Sequence, residues 1–337
     1  MANIMVTERC NLQCEYCFAR EKLGTDEMPL SDFTKALTFC TQGQRNPHIG
    51  IIGGEPTLHS DFENILKAAI SSNAGSITVF TNGTNLEQYA KLLTHRKVGL
   101  LINFNGADMM GQELYDTMGK NILLIYKDYM SGNISLGLNI YKSSVPQLQD
   151  LLEVSKLLKL RKLRLSVSVP SAEHLASQGI TNYFKTLKQT YIDVCLAFDA
   201  IDIAVSQDCN YIPQCVFNQS EIEMLDRLSE KYAHVGVNYI NPTVCRPVID
   251  ILPGLQTIRC FGMSEQTANI EDFRNLYELS NYFHCKTDQY LAPLHVSLKC
   301  DGCEARYRGC NMGCLRAKAG RLAASKAAAA VLNGEIS

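Results

Sequence analysis

Short β-branched runs alternate with longer amphipathic stretches from residue 2 to about residue 169. This alternation is typical of βα units, in which crossover helices join the parallel strands of one sheet. Predicted strands occupy residues 2–6, 48–52, 76–81, 97–104, 133–141 and 162–169. Predicted helices occupy residues 31–43, 61–73, 86–95, 111–130 and 146–159. Six strands with following helices predict an α/β fold, a partial (β/α)6 barrel of the TIM type.

The pattern changes in the second half of the chain. A helix near 182–197 and a strand around 199–205 are expected to complete the barrel, and Ser220, with Glu223 three residues later, is the predicted N-cap of the next helix. Beyond about residue 240 regular alternation fades and prolines interrupt the chain. We therefore expect a barrel at 1–205, a connecting segment at 206–240, a cysteine-rich module at 241–316 and an Ala-rich tail at 317–337.

Three cysteines, Cys10, Cys14 and Cys17, lie within eight residues shortly after the first predicted strand. Thiolates are soft ligands that suit zinc, copper(I) or iron–sulfur clusters. Three ligands leave one coordination position open for a substrate or cofactor, which is the mark of a catalytic metal centre. Ligands of α/β folds collect at the carboxyl ends of strands, and this loop is expected there. The alternative is a zinc knuckle or three thiols that bind no metal.

The spacing Cys10-x3-Cys14-x2-Cys17, with Tyr16 just before the last cysteine, resembles the signature of the radical S-adenosylmethionine (SAM) enzymes. The resemblance implies that these cysteines hold a [4Fe–4S] cluster whose fourth iron binds the amino and carboxylate groups of SAM. It also implies that the reduced cluster cleaves SAM to methionine and a 5′-deoxyadenosyl radical, which abstracts a hydrogen atom from a substrate. SAM and this cluster are thus the expected cofactors, and a reductant protein such as a flavodoxin or ferredoxin is an expected partner.

Gly53-Gly54-Glu55-Pro56 follows the second predicted strand and resembles the Gly-Gly-Glu-Pro element of the same family. Glycines allow a close backbone approach to a ligand, Pro56 stiffens the exit, and Glu55 offers a carboxylate to a cationic amino group. By the resemblance, that group is the ammonium of SAM. Two glycines alone would indicate only an ordinary turn.

Polar residues also end the later predicted strands. Thr81-Asn82-Gly83 ends the third, and Asn103-Phe104-Asn105-Gly106 ends the fourth, where the family usually has Ser-x-Asp-Gly. Asn-Gly turns and core hydroxyls with hydrogen-bond partners are the alternative explanations. The residues expected to bind SAM, by the resemblance and by their position, are Gly53, Gly54, Glu55, Asn82, Asn103, Asn139 and Ser168.

Cysteines are dense near the end of the chain, in the array Cys300-x2-Cys303-x6-Cys310-x3-Cys314, with Cys245, Cys260 and Cys285 upstream. The array resembles the SPASM and Twitch extensions of radical SAM proteins, which bind auxiliary [4Fe–4S] clusters. It departs from them in having six residues, instead of the usual five, between its second and third cysteines, and in having no cysteine after the fourth.

The resemblance implies two arrangements for these thiols. In the first, Cys245, Cys260 and Cys314 share one cluster, with Cys285 as a candidate fourth ligand, and Cys300, Cys303 and Cys310 hold a second cluster with an open site. In the second, Twitch-like arrangement, four of these residues hold one cluster and the others are bystanders. Structural zinc is the remaining alternative, because closely paired cysteines are common at zinc sites.

The other cysteines receive a simpler interpretation. Cys40 lies in an apolar helical pattern and is expected to be a small buried side chain. Cys195, Cys209 and Cys215 are interpreted as core or loop residues, although a thiol in that region could also donate a hydrogen atom to a substrate radical or ligate a metal.

Composition excludes several classes of protein. The chain has 337 residues, 46% hydrophobic and 20% charged, and a net charge of −2, so no basic surface for nucleic acid or anionic membrane is expected. No apolar run approaches the roughly 20 residues of a membrane span, and the N-terminus lacks a signal peptide, so we expect a cytoplasmic protein. Its 14 cysteines fit metal ligation better than a disulfide scaffold, which is typical of small secreted chains.

These observations predict a radical SAM enzyme that crosslinks, epimerises or oxidises a ribosomally made peptide, because enzymes with such extensions mostly modify peptides. The first alternative is a dehydrogenase or epimerase of a small alcohol or sugar. It is favoured by the start of the sequence at the first strand, where no peptide-recognition domain is expected before the barrel. An alternative from another class is a regulatory protein that uses zinc or iron–sulfur clusters without catalysis.

Overall fold

The computed structural model describes residues 2–129, 133–168, 172–240, 248–295, 300–307, 310, 313–320 and 322. The chain forms two compact units. The first unit consists of Met1–Leu138, Pro146–Leu163 and Pro247–Tyr282, and the second of Asn139–Val145, Arg164–Arg246 and Phe283–Ser337. The expected module boundaries near 205 and 241 do not coincide with this division, because Pro247–Tyr282 belongs to the first unit.

Strands and helices alternate along the described residues. The strands are β1 (Ala2–Met5), β2 (His48–Ile52), β3 (Ser76–Thr81), β4 (Val98–Asn103), β5 (Ile134–Ile140), β6 (Lys162–Val167), β7 (Ala204–Cys209), β8 (Ile249–Ile251), β9 (Gln256–Ile258) and β10 (Thr267–Asn269). The helices are α1 (Leu30–Thr41), α2 (Phe62–Ser71), α3 (Ala90–Leu93), α4 (Ala107–Met110), α5 (Gln112–Tyr129), α6 (Leu148–Leu157), α7 (Ala172–Asp199), α8 (Gln219–Lys231), α9 (Leu276–Phe283) and α10 (Gln289–Leu291). The βα alternation predicted for an α/β partial barrel is confirmed.

The sheet of the first unit has the strand order β10-β9-β8-β1-β2-β3-β4-β5. Strands β1 to β5 are parallel, β8 runs parallel to β1, and β9 and β10 are antiparallel additions. The three short strands after residue 248 therefore extend the first sheet. These strands were not predicted, because three residues are too few to display an alternating pattern.

One apolar row crosses the central strands and sets their register. Ile4 pairs with Ile51, Ile51 with Val79, and Val79 lies level with Leu100. All four side chains are buried, and burial of such a side chain contributes about 1.5–3 kcal/mol. A slip of one residue would turn the row to the other face, so packing aligns the carboxyl ends of β1 to β4 along one edge of the sheet.

The second unit contains the carboxyl ends of β5 and β6 and the neighbouring strand β7, together with α7 and α8. Helix α7 spans 28 residues and is much longer than the predicted helix 182–197. A strand follows the helix as predicted, but it is displaced from 199–205: α7 continues to Asp199, Asp202 has a left-handed φ of 57°, and β7 begins at Ala204.

The predicted N-cap of α8 is also wrong. Asn218, two residues before Ser220, accepts a hydrogen bond from the Glu221 N–H at 2.9 Å, and Glu221 in turn accepts one from the Asn218 N–H at 2.7 Å. Ser220 donates its hydroxyl to Asn218. In the described part of the chain, every helix is too short or too polar to cross a membrane.

Candidate active site at the carboxyl ends of β1 to β4

The loop after β1 brings the three predicted cysteines together. The thiols of Cys10, Cys14 and Cys17 lie within electrostatic range of one another, and each side chain is partly buried. The loop is ordered by its own backbone: the Leu12 N–H donates to Cys10 Sγ at 3.4 Å, and the Cys17 N–H donates to the Cys14 carbonyl at 3.1 Å.

Burial raises the pKa of all three thiols and brings that of Cys14 to about 11, with Cys10 and Cys17 as further causes. Three neighbouring thiolates in a partly buried loop repel one another, so their ionised form needs a cationic centre to balance it. Such a donor set fits a thiolate-ligated cluster.

A search of the described residues finds no group of three Cys, His, Asp or Glu side chains placed to hold a single metal ion. In a four-iron cube each thiolate binds a different iron, so the ligands of a cluster stand farther apart than those of one ion. The lack of a single-ion group among the described residues is therefore compatible with a cluster at this loop.

Asn105 contacts the cysteine loop directly. Its Nδ2 donates to Cys14 Sγ at 3.7 Å, while its Oδ1 accepts a hydrogen bond from the Tyr16 hydroxyl. Hydrogen bonds to ligand sulfurs are among the features that set the reduction potential of a cluster. Sequence reasoning singled out Asn105 only as a departure from a family motif; its position directly after β4 is the signal that could have identified it.

Gly53 and Gly54 pack against the cysteine loop. The Gly54 N–H donates to the Thr7 carbonyl at 2.9 Å. A Cβ at Gly54 would lie 2.4 Å from the Arg9 carbonyl oxygen and 2.8 Å from Cys10 Cβ, and one at Gly53 would lie 2.9 Å from the Thr7 carbonyl. The close approach made possible by these glycines is therefore that of the cysteine loop of the same chain.

Glu55 lies within a buried hydrogen-bond network. Its Oε1 accepts from the Thr57 N–H at 3.2 Å, the Thr57 hydroxyl at 2.7 Å and the Thr81 hydroxyl at 2.8 Å, and its Oε2 accepts from the Asn82 N–H at 2.7 Å. The side chain is 1% exposed, and this burial raises its pKa. The carboxylate thus ties the end of β3 to the segment after β2; its contact with SAM stays a prediction.

Asn82 connects this network to the cysteine loop. Its Nδ2 donates to Asn11 Oδ1 at 2.8 Å, and its Oδ1 accepts from the N–H and the hydroxyl of Thr84 at 3.0 and 2.7 Å.

Asn103, at the end of β4, has an unpartnered acceptor: its Oδ1 is buried and finds no hydrogen-bond partner among the described residues. An unpartnered acceptor at a strand end fits a ligand that brings a hydroxyl or amino donor.

Asn139 and Ser168, also expected to bind SAM, belong to the second unit. Asn139 Oδ1 accepts a hydrogen bond from Ser166. The Ser168 hydroxyl shares a 2.7 Å hydrogen bond with the Tyr183 hydroxyl, and the Ser168 carbonyl accepts from Asn210 Nδ2 at 2.8 Å. Both side chains therefore have partners within their own unit.

The C-terminal cysteines are divided between the units. Cys245 lies outside the described residues, and Cys260 belongs to the first unit, directly after β9. The second unit holds Cys285, Cys300, Cys303, Cys310 and Cys314. The Cys303 N–H donates to the Cys300 carbonyl at 3.2 Å, so these two residues form one tight turn. Cys40 and Cys195 are buried as expected, and Cys209 and Cys215 are exposed.

The first part of the chain is similar in sequence to known proteins. The model of the Radical SAM superfamily matches residues 4–123. The 7,8-dihydro-6-hydroxymethylpterin dimethyltransferase of Methanocaldococcus jannaschii is 33% identical over 129 residues, covering 37% of this chain and 26% of that protein. The GTP 3′,8-cyclase of Acidothermus cellulolyticus is 33% identical over 107 residues, covering 29% and 28%. The chain thus spans about a quarter of the length of these relatives.

Solved structures of SuiB from Streptococcus suis are similar over nearly the whole chain. SuiB bound to S-adenosylmethionine aligns with a TM-score of 0.63 at 15% identity, covering 93% of this chain and 72% of that one. SuiB bound to the precursor peptide SuiA aligns with a TM-score of 0.59 at 14% identity, covering 94% and 70%. At such low identity the similarity establishes a shared fold.

Proposed function

We propose that this chain, whose residues 4–123 match the model of the Radical SAM superfamily, is an enzyme of that superfamily and cleaves SAM reductively at a [4Fe–4S] cluster held by Cys10, Cys14 and Cys17. The observation that carries the proposal is the grouping of these three thiols in one loop at the carboxyl end of β1. Such a cluster, when bound and reduced, supplies the electron that cleaves SAM.

The surrounding residues position the cysteine loop and contact one of its thiols. Gly53 and Gly54 let the loop lie directly on the end of β2, and Asn82 holds Asn11 in the loop. The Asn105 amide donates to Cys14 Sγ, and the unpartnered Oδ1 of Asn103 is available to a hydroxyl or amino group of SAM. Glu55 organises the adjoining strand ends, lies within electrostatic range of Cys10, and is the carboxylate that we assign to the ammonium of SAM.

A triple variant tests the cluster assignment. Changing Cys10, Cys14 and Cys17 to Ala should abolish 5′-deoxyadenosine formation by the anaerobically reconstituted protein supplied with dithionite and SAM. Cys40→Ala is the matched control, because Cys40 is a fully buried thiol of α1 in the same unit and should leave the activity near the wild-type level. Retained SAM cleavage by the triple variant would overturn the proposal.

The substrate we propose is a peptide or a peptide-like molecule. Support comes from the fold shared with SuiB, which has been solved with a precursor peptide, and from the C-terminal cysteine array that resembles peptide-modifying enzymes. Modification of peptides encoded near the gene, followed by mass spectrometry, tests this step. The expected result is a mass change in one peptide that depends on SAM and on Cys10, Cys14 and Cys17.

A small-molecule substrate is the second candidate. Two relatives similar in sequence are named as a GTP cyclase and a pterin dimethyltransferase, but their similarity lies in about a third of this chain. Transfer of deuterium from a labelled alcohol, sugar or nucleotide into 5′-deoxyadenosine, with no such transfer from peptides, would favour this candidate over the peptide.

A further inference from the structure

The side chain of Arg20 contacts the cysteine loop of the first unit. Its guanidinium nitrogen Nη2 donates a 2.7 Å hydrogen bond to the carbonyl oxygen of Cys14. The Cys17 N–H donates to the same oxygen at 3.1 Å, which closes a tight turn between the two cysteines. The guanidinium therefore lies at the turn that joins two of the three predicted iron ligands.

The backbone that carries Arg20 is anchored in the core. Ala19, the preceding residue, is buried in an apolar cluster, and Cys17 packs against the same cluster. The Lys22 N–H donates to the Ala19 carbonyl at 2.8 Å and closes a single helical turn, Arg20–Lys22. The exposed side chain of Arg20 thus extends toward Cys14 from a fixed backbone position.

Arg20 is also the only basic residue between Cys10 and Glu21 in the sequence. A guanidinium stays protonated throughout the working pH range, so its charge at this turn is permanent. The rest of the stretch is negative, because it holds Glu15 and three thiols that bind iron as thiolates. Reduction adds one more negative charge, and net charge is among the features that set the potential of a cluster. A fixed positive charge at the Cys14–Cys17 turn therefore favours the reduced state.

We propose that Arg20 is a positioning residue that makes the SAM-cleaving cluster easier to reduce, acting through its hydrogen bond to the Cys14–Cys17 turn and through its charge. The inference rests on the proposed function, because it assigns Arg20 to the cluster held by this loop. The step concerned is the transfer of one electron from a one-electron donor, such as dithionite, to the oxidised cluster. Arg20 keeps its proton throughout, and no bond to it forms or breaks.

The midpoint potential of the reconstituted full chain tests the proposal. A redox titration is followed by electron paramagnetic resonance, and the first cluster is recognised as the signal that changes on addition of SAM. Arg20→Met removes the charge and the hydrogen bond but keeps an unbranched side chain. The equilibrium constant for one-electron reduction should fall about two- to fivefold, the effect of one exposed opposite charge, which lowers the potential by about 20–40 mV. A potential equal to or above the wild-type value would overturn the proposal.

Arg20→Lys and a change of salt separate the effect of charge from a purely structural effect. Lysine keeps the positive charge and loses only the planar fork, so the potential of Arg20→Lys should lie closer to the wild type than to Arg20→Met. The difference between the wild type and Arg20→Met should shrink in 1 M NaCl, where the Debye length is about 3 Å. A potential of Arg20→Lys equal to that of Arg20→Met, or a difference that salt leaves unchanged, would overturn the role assigned to the charge.

Lys22→Met is the matched control. It removes a charge of the same sign from the same helical turn and leaves the hydrogen bond from Arg20 to the Cys14 carbonyl in place. Its potential should stay closer to the wild type than that of Arg20→Met, and an equal shift in both variants would overturn the specific role of Arg20. A signal that responds to SAM but whose potential is independent of Arg20 contradicts this inference alone. The absence of any signal that responds to SAM contradicts the proposed function, and this inference with it.

Discussion

The backbone N–H of Asn82 donates a 2.7 Å hydrogen bond to Glu55 Oε2, so one buried carboxylate joins the end of β3 to the segment after β2. The side chain of the same Asn82 donates to Asn11, which lies between Cys10 and Leu12 in the ligand loop. A single residue thus connects the carboxylate predicted to bind SAM with the loop predicted to bind iron. Changes at Glu55 are therefore expected to affect both ligands.

Glu55→Gln retains the size of the side chain but places an amide NH₂ against one set of N–H and O–H donors. We expect SAM affinity to fall about ten- to hundredfold, which corresponds to the about 1.5–3 kcal/mol of a lost charge-assisted hydrogen bond. Isothermal titration calorimetry on the reconstituted protein, with iron content measured on the same sample, tests this expectation.

Thr81→Val is the control for that measurement. It removes one donor to Glu55 Oε1 but keeps the carboxylate, so SAM affinity should fall much less than in Glu55→Gln. An unchanged affinity in Glu55→Gln would mean that Glu55 only organises the strand ends. Equal losses in both variants would lead to the same conclusion.

Gly54→Ala is expected to disturb the ligand loop. The new Cβ would lie 2.4 Å from the Arg9 carbonyl oxygen, which is backbone and cannot rotate away, and overpacking of this kind costs about 1–3 kcal/mol. The loop must shift, so the variant should reconstitute less iron at the first cluster than the wild type does. Iron and sulfide analysis of a variant that also lacks the predicted auxiliary ligands isolates this site; these are Cys245, Cys260, Cys285, Cys300, Cys303, Cys310 and Cys314.

Gly119→Ala provides the comparison. Gly119 lies in α5, and nothing stands within 4 Å of a Cβ built there, so the substitution should stabilise the helix by about 0.5–1 kcal/mol and leave iron binding unchanged. Wild-type iron content in Gly54→Ala would contradict the interpretation that this glycine serves the ligand loop.

Local sequence pattern was sufficient for the regular part of the fold. The bounds of β2 and β3 follow from short β-branched runs between turn residues, and both agree with the structure to the residue. The start of α8 could not be derived with equal accuracy, because Asn218 with Glu221 and Ser220 with Glu223 satisfy the same capping pattern. Only the fold decides between two such candidates.

Contacts between distant residues account for what the sequence did not reveal. The cysteine spacing indicates Cys10, Cys14 and Cys17 because all three lie in one short loop. The approach of Asn105 to Cys14 depends on the alignment of β4 with β1, and the hydrogen bond from Asn82 to Asn11 depends on the alignment of β3 with β1. Neither contact can be inferred from the amino-acid sequence around the residues that make it.

Asn105→Leu should lower the reduction potential of the first cluster. The Asn105 amide donates to Cys14 Sγ, and a hydrogen bond to a ligand sulfur stabilises the reduced, more negative state of a cluster. Leu has the same number of side-chain heavy atoms in the same branched arrangement and no donor, so the reduced state loses this stabilisation. A redox titration followed by electron paramagnetic resonance, in a variant without the auxiliary cysteines, measures the change.

Tyr16→Phe is the matched variant for this experiment. It removes the hydroxyl that donates to Asn105 Oδ1 and keeps the amide that donates to Cys14. Its potential should lie much closer to that of the wild type than the potential of Asn105→Leu. A potential in Asn105→Leu equal to or above the wild-type value would exclude the assigned role of Asn105.

Asp250 introduces a pH-dependent term into the stability of the first unit. Asn3 and Asp250 are paired positions on the neighbouring parallel strands β1 and β8, and Asn3 Nδ2 donates to Asp250 Oδ1 at 2.7 Å. Burial raises the pKa of Asp250 to about 7, although the guanidinium of Arg259 opposes the shift. Asn3 Oδ1 is buried and has no hydrogen-bond partner among the described residues, so it can accept a bond from the protonated carboxyl.

The free energy of unfolding should therefore fall as pH rises toward 7. The folded pKa of Asp250 is higher than its unfolded value, so its contribution is fully present below about pH 4 and is lost by about pH 7, at no more than about 1.4 kcal/mol per pH unit.

Asp250→Asn keeps an acceptor for Asn3 Nδ2 and adds a donor for Asn3 Oδ1, so this contribution to the slope should disappear. Urea unfolding of the metal-free chain at pH 5, 6, 7 and 8 measures both proteins, and the difference between them isolates Asp250 from other titrating groups such as His48. Parallel curves for the wild type and Asp250→Asn would refute the assignment.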